Sequence, residues 1–152
     1  MAAHLVEELA EDAIAAMLST QAATELTGVT VYKGFSGSEL AIPRLEVFAF
    51  ESEPELVGSA ILGNHYVKLQ MTIATSADDT TRAAHSTIVA GVRDALMCTR
   101  AEIITNIEAE GTAAFTAFDY TPGPTRREGE NEDRLHKTEI EGTLYCCVTD
   151  SP

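Results

Sequence analysis

The sequence predicts an α/β chain of the α+β type: a mostly antiparallel sheet with two main helices packed on one face. Three observations carry that expectation. In the stretch 64–76, Val67, Leu69, Met71 and Ile73 alternate with Lys68, Gln70 and Thr72. That is the period of a strand with one buried and one wet face, which favours antiparallel pairing over a parallel sheet covered on both sides. Two other stretches, 4–20 and 74–97, repeat apolar residues at helical spacing. Strand-like segments stand on both sides of the second helix, so strands from both halves of the chain must share one sheet.

Taken in order, the first helix places Leu5, Leu9, Ala13 and Met17 four residues apart, with Val6, Ile14 and Leu18 beside them. Glu7, Glu8, Glu11 and Asp12 fill its polar face and suit the positive end of the helix dipole. GVTVYKG is a short strand ended by Gly34, and GFSGSE a turn. RLEVFAF alternates Leu45, Val47 and Ala49 against Glu46, Phe48 and Phe50, directly after Pro43. ESEPELVGSAILGN, residues 51–64, reads as a long surface loop because of its proline and glycines.

The second helix is expected to begin with a capping pair, Ser76 and Asp79, and to carry Ala84, Ile88, Val92 and Leu96 as its apolar stripe, with Ala95 adjoining. His85 and Arg93 fall off that stripe. A shorter helix over 99–111 follows, with Thr99 and Glu102 at capping spacing, Ile103, Ile104 and Ile107 as its apolar side, and Gly111 to stop it. TAAFTAFDYT is a strand ending at the breaker TPGP. Residues 126–134, RREGENEDR, hold no apolar side chain and read as an exposed, mobile loop. The last strand, from His136, sets Ile140, Leu144, Cys146 and Val148 on one face, with Gly142 marking a bulge or twist. It is long enough, at about fourteen residues against a typical five or six, to reach a neighbouring chain. The expected core is Leu9, Ile14, Leu18, Val47, Val67, Leu69, Met71, Ile73, Ile88, Val92, Leu96, Ile140, Leu144 and Val148.

The length of 152 residues fits a single domain, 1–152, with one core. A formal net charge of −14, from 10 basic and 24 acidic residues, argues against a surface that grips nucleic acid and against an anionic membrane. The apolar stretches are too short to span a bilayer, and the acidic start lacks the features of a secretory signal. Cys98, Cys146 and Cys147 have no redox or zinc spacing and read as inert thiols of a reducing compartment.

No arrangement of catalytic residues emerges. His4, His65, His85 and His136 form no metal-ligand pattern and read as surface or edge-strand histidines. Asp78 and Asp79 read as helix-start residues that stabilise free amides. The letters around Ser36, GFSGS, are not those of a nucleophile elbow, and no phosphate-cradling glycine motif occurs. Glu128, Glu130, Glu132 and Asp133 lack the spacing of a calcium loop and form a solvated charge run. The expectation is therefore a non-enzyme with no catalytic, metal or cofactor residues. Its informative features are the wet sheet face, the loops and the strand edges.

From Arg44 to Val148 the chain resembles the tail terminator and tail completion proteins of long-tailed bacteriophages and phage-tail-like particles. The resemblance lies in the strand HYVKLQMTIATS, the helix DDTTRAAHSTIVAGVRDALM directly after it, the strand FTAFDYT, and a charged loop feeding the long strand HKTEIEGTLYCCV. It implies a small virion subunit that closes into a homo-hexameric ring capping the tail tube at the head–tail junction. Its partners would be the tail tube protein and the head connector proteins. DNA would pass through without tight binding, and no membrane is involved. An acidic channel suits that passage, since like charges repel. Two other classes remain open: a protein-binding adaptor working through residues 51–64, and a small-molecule enzyme whose site assembles from distant residues.

Overall fold

The computed structural model describes residues 5–34, 41–57, 60–78, 80–111, 113–128 and 134–148. The elements run α1 (Val6–Gln21), β1 (Thr30–Lys33), β2 (Arg44–Val57), β3 (Ala60–Ser76), α2 (Arg82–Leu96), α3 (Arg100–Glu110), β4 (Phe115–Glu128) and β5 (Leu135–Val148). The five strands form one sheet in the order β1-β2-β3-β5-β4. Only β1 lies parallel to its neighbour; the other pairs are antiparallel. The fold is α+β, as the alternation in β3 and the helical spacing on either side of it require.

The register explains the core. Residues opposite one another in antiparallel strands project to the same face. Leu45, Ile73 and Thr138 form one such row, Val47, Met71 and Ile140 the next, and Ala49, Leu69 and Gly142 a third. All of these are buried. Ala13, Ile14, Met17 and Leu18 of α1, Val92 and Leu96 of α2, and Ile103 and Ile107 of α3 pack into the same core, so three helices cover this face. Of the expected core residues, Leu9, Ile88 and Val148 sit half-buried at its margin and the others are buried.

Several expectations give way. Residues 51–64 are not a loop: β2 runs to Val57 and β3 starts at Ala60, giving a hairpin arm that continues beyond the end of β5 pairing at Asn64. Pro54 is tolerated because β1 covers β2 only from Arg44 to Val47, which leaves the rest of that edge open. TPGP does not end β4. The strand continues through it to Glu128 with a register shift between Pro122 and Thr125, again on an edge strand. Arg126, Arg127 and Glu128 therefore belong to a strand, exposed as expected, while 129–133 lie outside the described residues.

The second helix starts later than its apolar spacing suggests. Thr81 is its N-cap, accepting from the Ala84 amide at 3.1 Å, whereas Ser76 is the last residue of β3. Ala84 is consequently exposed and His85 is buried. Thr99 precedes α3 but its side chain makes no capping bond. Leu5 is exposed, and Glu11, expected on a wet face, is buried. Glu11 accepts from the Ala49 amide at 2.9 Å, and Glu7 accepts from the Ser52 hydroxyl at 2.5 Å. These two carboxylates, one turn apart, cover the stretch of β2 that β1 leaves open. Burial raises the Glu11 carboxyl above its ordinary value, partly offset by the Ala49 amide.

The length of the long β5 is taken up within its own sheet. The strand lies inside the sheet, paired with β3 from Leu135 to Cys147 and with β4 from Lys137 to Val148. Gly142 does flank an irregularity: it pairs with Pro122 where the β4–β5 register shifts before Thr125, and a Cβ there would also collide with the hydroxyl end of Tyr120, so close packing requires the glycine as well.

Candidate functional site

Two surfaces hold residues whose chemistry exceeds the needs of the fold. The first is the outer face of the sheet, which none of the three helices covers. Its rows are the complement of the core rows: Glu46 beside Thr72 and Glu139, Phe48 beside Gln70 and Glu141, Tyr66 beside Tyr145. Ion pairs bind neighbouring strands, Lys68 to Glu51 at 2.6 Å and Arg126 to Glu141 at 3.2 Å. Both are exposed and contribute little stability.

Among these charges stands an aromatic group. The rings of Tyr66 and Tyr145 stack with centroids 4.7 Å apart, and Phe118 meets Tyr145 at 5.3 Å. Tyr66 and Phe118 are 42% and 45% exposed, so the patch is apolar and open. Phe118 faces this side by alternation with buried Ala117, and the register shift between Ala117 and Asp119 sets Asp119 on the same side next to it. Tyr145 donates to Glu55, and Asn64 donates to both, at 3.0 Å to the tyrosine and 3.1 Å to the carboxylate. These bonds tie the arm to the body of the sheet. The bond to Glu55 raises the Tyr145 phenol and lowers the Glu55 carboxyl from their ordinary values.

The second surface is a cleft of about 500 Å³ between α2 and the β4–β5 hairpin. Arg82, His85, Ser86, Val89, Ala90 and Arg93 line it from one face of the helix, and Arg127, Glu128, His136 and Thr138 from the strands. His85 is held at both nitrogens, Nδ1 to the Thr75 hydroxyl at 2.9 Å and Nε2 to the Thr138 hydroxyl at 3.0 Å. Burial, with lesser effects from His136 and Arg127, lowers its imidazole below the ordinary value. A neutral ring with one donor and one acceptor matches two hydroxyls that can each turn to either role. The expectation of a surface or edge-strand histidine is thus corrected: His85 is a buried polar pin between α2 and the sheet. His136 lies 5.5 Å away, ring to ring, and its Nε2 donates to the Thr80 carbonyl at 3.1 Å.

The remaining sequence candidates are scattered. His65 is half-buried on β3, and His4, Ser36 and Asp79 lie outside the described residues. Asp78 is not at a helix start; it pairs with Arg134 at 2.8 Å across the end of the sheet. Of the acidic run, only Glu128 is described, at the end of β4. Cys146 is fully buried, its thiol pushed up to about 12 by burial, while Cys98 and Cys147 are half-buried free thiols. Among the described residues no group of three or more His, Cys, Asp or Glu could hold a metal ion, and no helix is long and apolar enough to cross a membrane.

The fold has a counterpart in a virion. A chain in the solved virion of a native gene transfer agent (GTA) particle matches with a TM-score of 0.54 and 12% sequence identity, over 88% of this chain and 84% of that one. The likeness is one of fold and spans nearly the whole of both chains. No family model matches the chain, and no curated protein matches it in sequence.

Sequence reasoning singled out the wet sheet face but missed its aromatic group and the cleft, although each left a signal. Tyr66 and Tyr145 stand at the wet parity of their strands, opposite Val67 and Leu144. Arg82 and Arg93 are eleven residues apart, three helical turns, and so share a face.

Proposed function

We propose that this chain is a structural subunit of a phage-like particle, acting as one domain in a ring at the head end of the tail tube, in the manner of a tail terminator. The observation that supports this reading is the likeness of fold, over most of both chains, to a chain of a gene transfer agent virion. The bare outer sheet face, with its open aromatic group, supplies a contact surface of the kind a virion subunit needs. Exposed apolar patches rimmed by charge mark protein contacts. The ring is homo-hexameric and contacts the tail tube protein on one side and head connector proteins on the other. The net charge of −14 lets DNA pass without being held.

The protein has no catalytic role in this reading. The cleft that would otherwise invite an enzymatic one offers a poor base, because both nitrogens of His85 are engaged by threonine hydroxyls. Imaging of intact particles tests the proposal. Six copies between tube and connector are expected, and a strain lacking the protein should make tails of uncontrolled length. Particles of normal length and infectivity in its absence would sink it.

A further inference from the structure

The cleft under α2 is out of character with the rest of the chain. Ten basic residues face 24 acidic ones overall, yet among the described residues Arg82, Arg93 and Arg127 line this cleft together with one carboxylate, Glu128. None of the three arginines forms an ion pair among the described residues, whereas Arg44, Arg100, Arg126 and Arg134 each do. Unpaired guanidinium forks are preformed to take carboxylates or phosphates two oxygens at a time.

Shape narrows the choice. Arg82 and Arg93 stand three turns apart, roughly 16 Å along the helix at 1.5 Å per residue. That is a track rather than a pocket for a single phosphate. Val89 and Ala90 give it an apolar floor that can take the stems of a peptide's side chains. Its described lining holds no Phe, Tyr or Trp on which a base could stack, and a chain of net charge −14 repels a polyanion as long as DNA. An acidic polypeptide segment fits these features.

The chain itself carries such a segment at the opposite edge of its sheet. Glu51, Glu53 and Glu55 follow one another on β2 where β1 no longer covers it; Lys68 pairs with Glu51, Tyr145 and Asn64 hold Glu55, and Glu53 is exposed. The basic cleft is bounded by β4, the strand at the other edge. We infer that the cleft formed by Arg82, Arg93 and Arg127 receives the acidic β2 arm, Glu51 to Glu55, of a second copy of this chain, head to tail. Unlike patches at opposite edges cannot meet about a two-fold axis. They repeat, and a repeated heterologous contact closes into a ring when its rotation allows. The inference rests on the ring reading and names the contact that builds it.

Two charge-reversed forms of the full chain test it: Arg82→Glu with Arg93→Glu, and Glu51→Lys with Glu53→Lys. Self-association is followed by sedimentation and cross-linking up to millimolar concentration, with circular dichroism as the check on folding. The native chain should associate, more weakly as salt rises. Each variant alone should associate about tenfold or more weakly, and an equal mixture of the two should recover mixed pairs. Recovery in the mixture cannot arise from misfolding. A native chain that stays monomeric throughout would overturn the inference, as would variants that associate like the native chain. In the second case the ring survives and only the contact falls. Arginine-dependent binding of a duplex oligonucleotide or of inorganic phosphate would overturn it in favour of a nucleic-acid or small-anion site.

Discussion

The two faces of the sheet are built from the same strands and obey opposite rules. On β3, Val67, Leu69, Met71 and Ile73 are wholly buried under the helices, while Tyr66, Lys68 and Gln70 between them look outward. The inner face is mostly hydrocarbon, with buried polar groups at His85 between Thr75 and Thr138 and at Glu11 against the Ala49 amide. The outer face sets exposed ion pairs around a cluster of three aromatic rings, Tyr66, Tyr145 and Phe118, with Phe48 in a neighbouring row. A single residue step along a strand thus separates side chains that hold the fold from side chains free to meet other molecules.

The sharpest way to break that comparison is to truncate neighbours. Leu69→Ala should lower the unfolding free energy by about 2–5 kcal/mol, since a fully buried leucine leaves both lost transfer energy and a cavity. Gln70→Ala, one step away, should change it by less than about 0.5 kcal/mol in the same denaturant titration. Equal costs would mean the faces are not distinct. Next in size is Gly142→Ala, expected to cost about 1–3 kcal/mol because the new methyl group meets the hydroxyl end of buried Tyr120. Adding Tyr120→Phe should return part of that loss, a coupling that a double-mutant cycle reads directly.

A smaller effect tests the polar pin. The folded His85 imidazole titrates below its ordinary 6.5, chiefly through burial. Between the folded value and 6.5 the unfolded chain binds more protons, so stability should rise with pH through that window and level off above it. His85→Gln should flatten this rise in thermal melts across mildly acid buffers. Persistence of the full slope in the variant would assign it to other groups. Smallest of all on stability is Phe118→Ser, 45% exposed in the native chain, which should stay within about 0.5 kcal/mol of native stability. Its measurable consequence should be reduced incorporation into particles, assayed by the subunit content of purified virions.

The strands of the core were legible because period-2 alternation survives any change in loops: Val67 to Ile73 and Ile140 to Leu144 could face only one way once a single side was buried. The arm over 51–64 was not legible. Pro54 and the glycines read as breakers, and nothing local announces that β1 is too short to cover β2 there, which makes a missing amide harmless. The start of α2 was misplaced for a similar reason. Ser76 and Thr81 are both acceptable caps by type, and only the length of β3 decides between them. His85 became a core residue through two hydroxyls, Thr75 and Thr138, that lie 10 and 53 residues away in sequence. The cleft was hidden for the same cause, since Arg127 joins Arg82 and Arg93 only when β4 continues past its prolines. The outer aromatics were visible as residues of the wrong parity, but their mutual stacking depends on the β3–β5 register.

Both open edges of the sheet are interrupted along their length. On one side β2 shifts register after Ala49 and again after Pro54; on the other β4 shifts after Ala117 and after Pro122. Glu11 further occupies the Ala49 amide. A flat, unbroken edge is a template onto which any extended chain can crystallise, including nascent copies of the same protein. Twisted and partly blocked edges deny that route. Copies accumulating at high concentration should therefore stay discrete until side chains, not backbone ladders, select their neighbour.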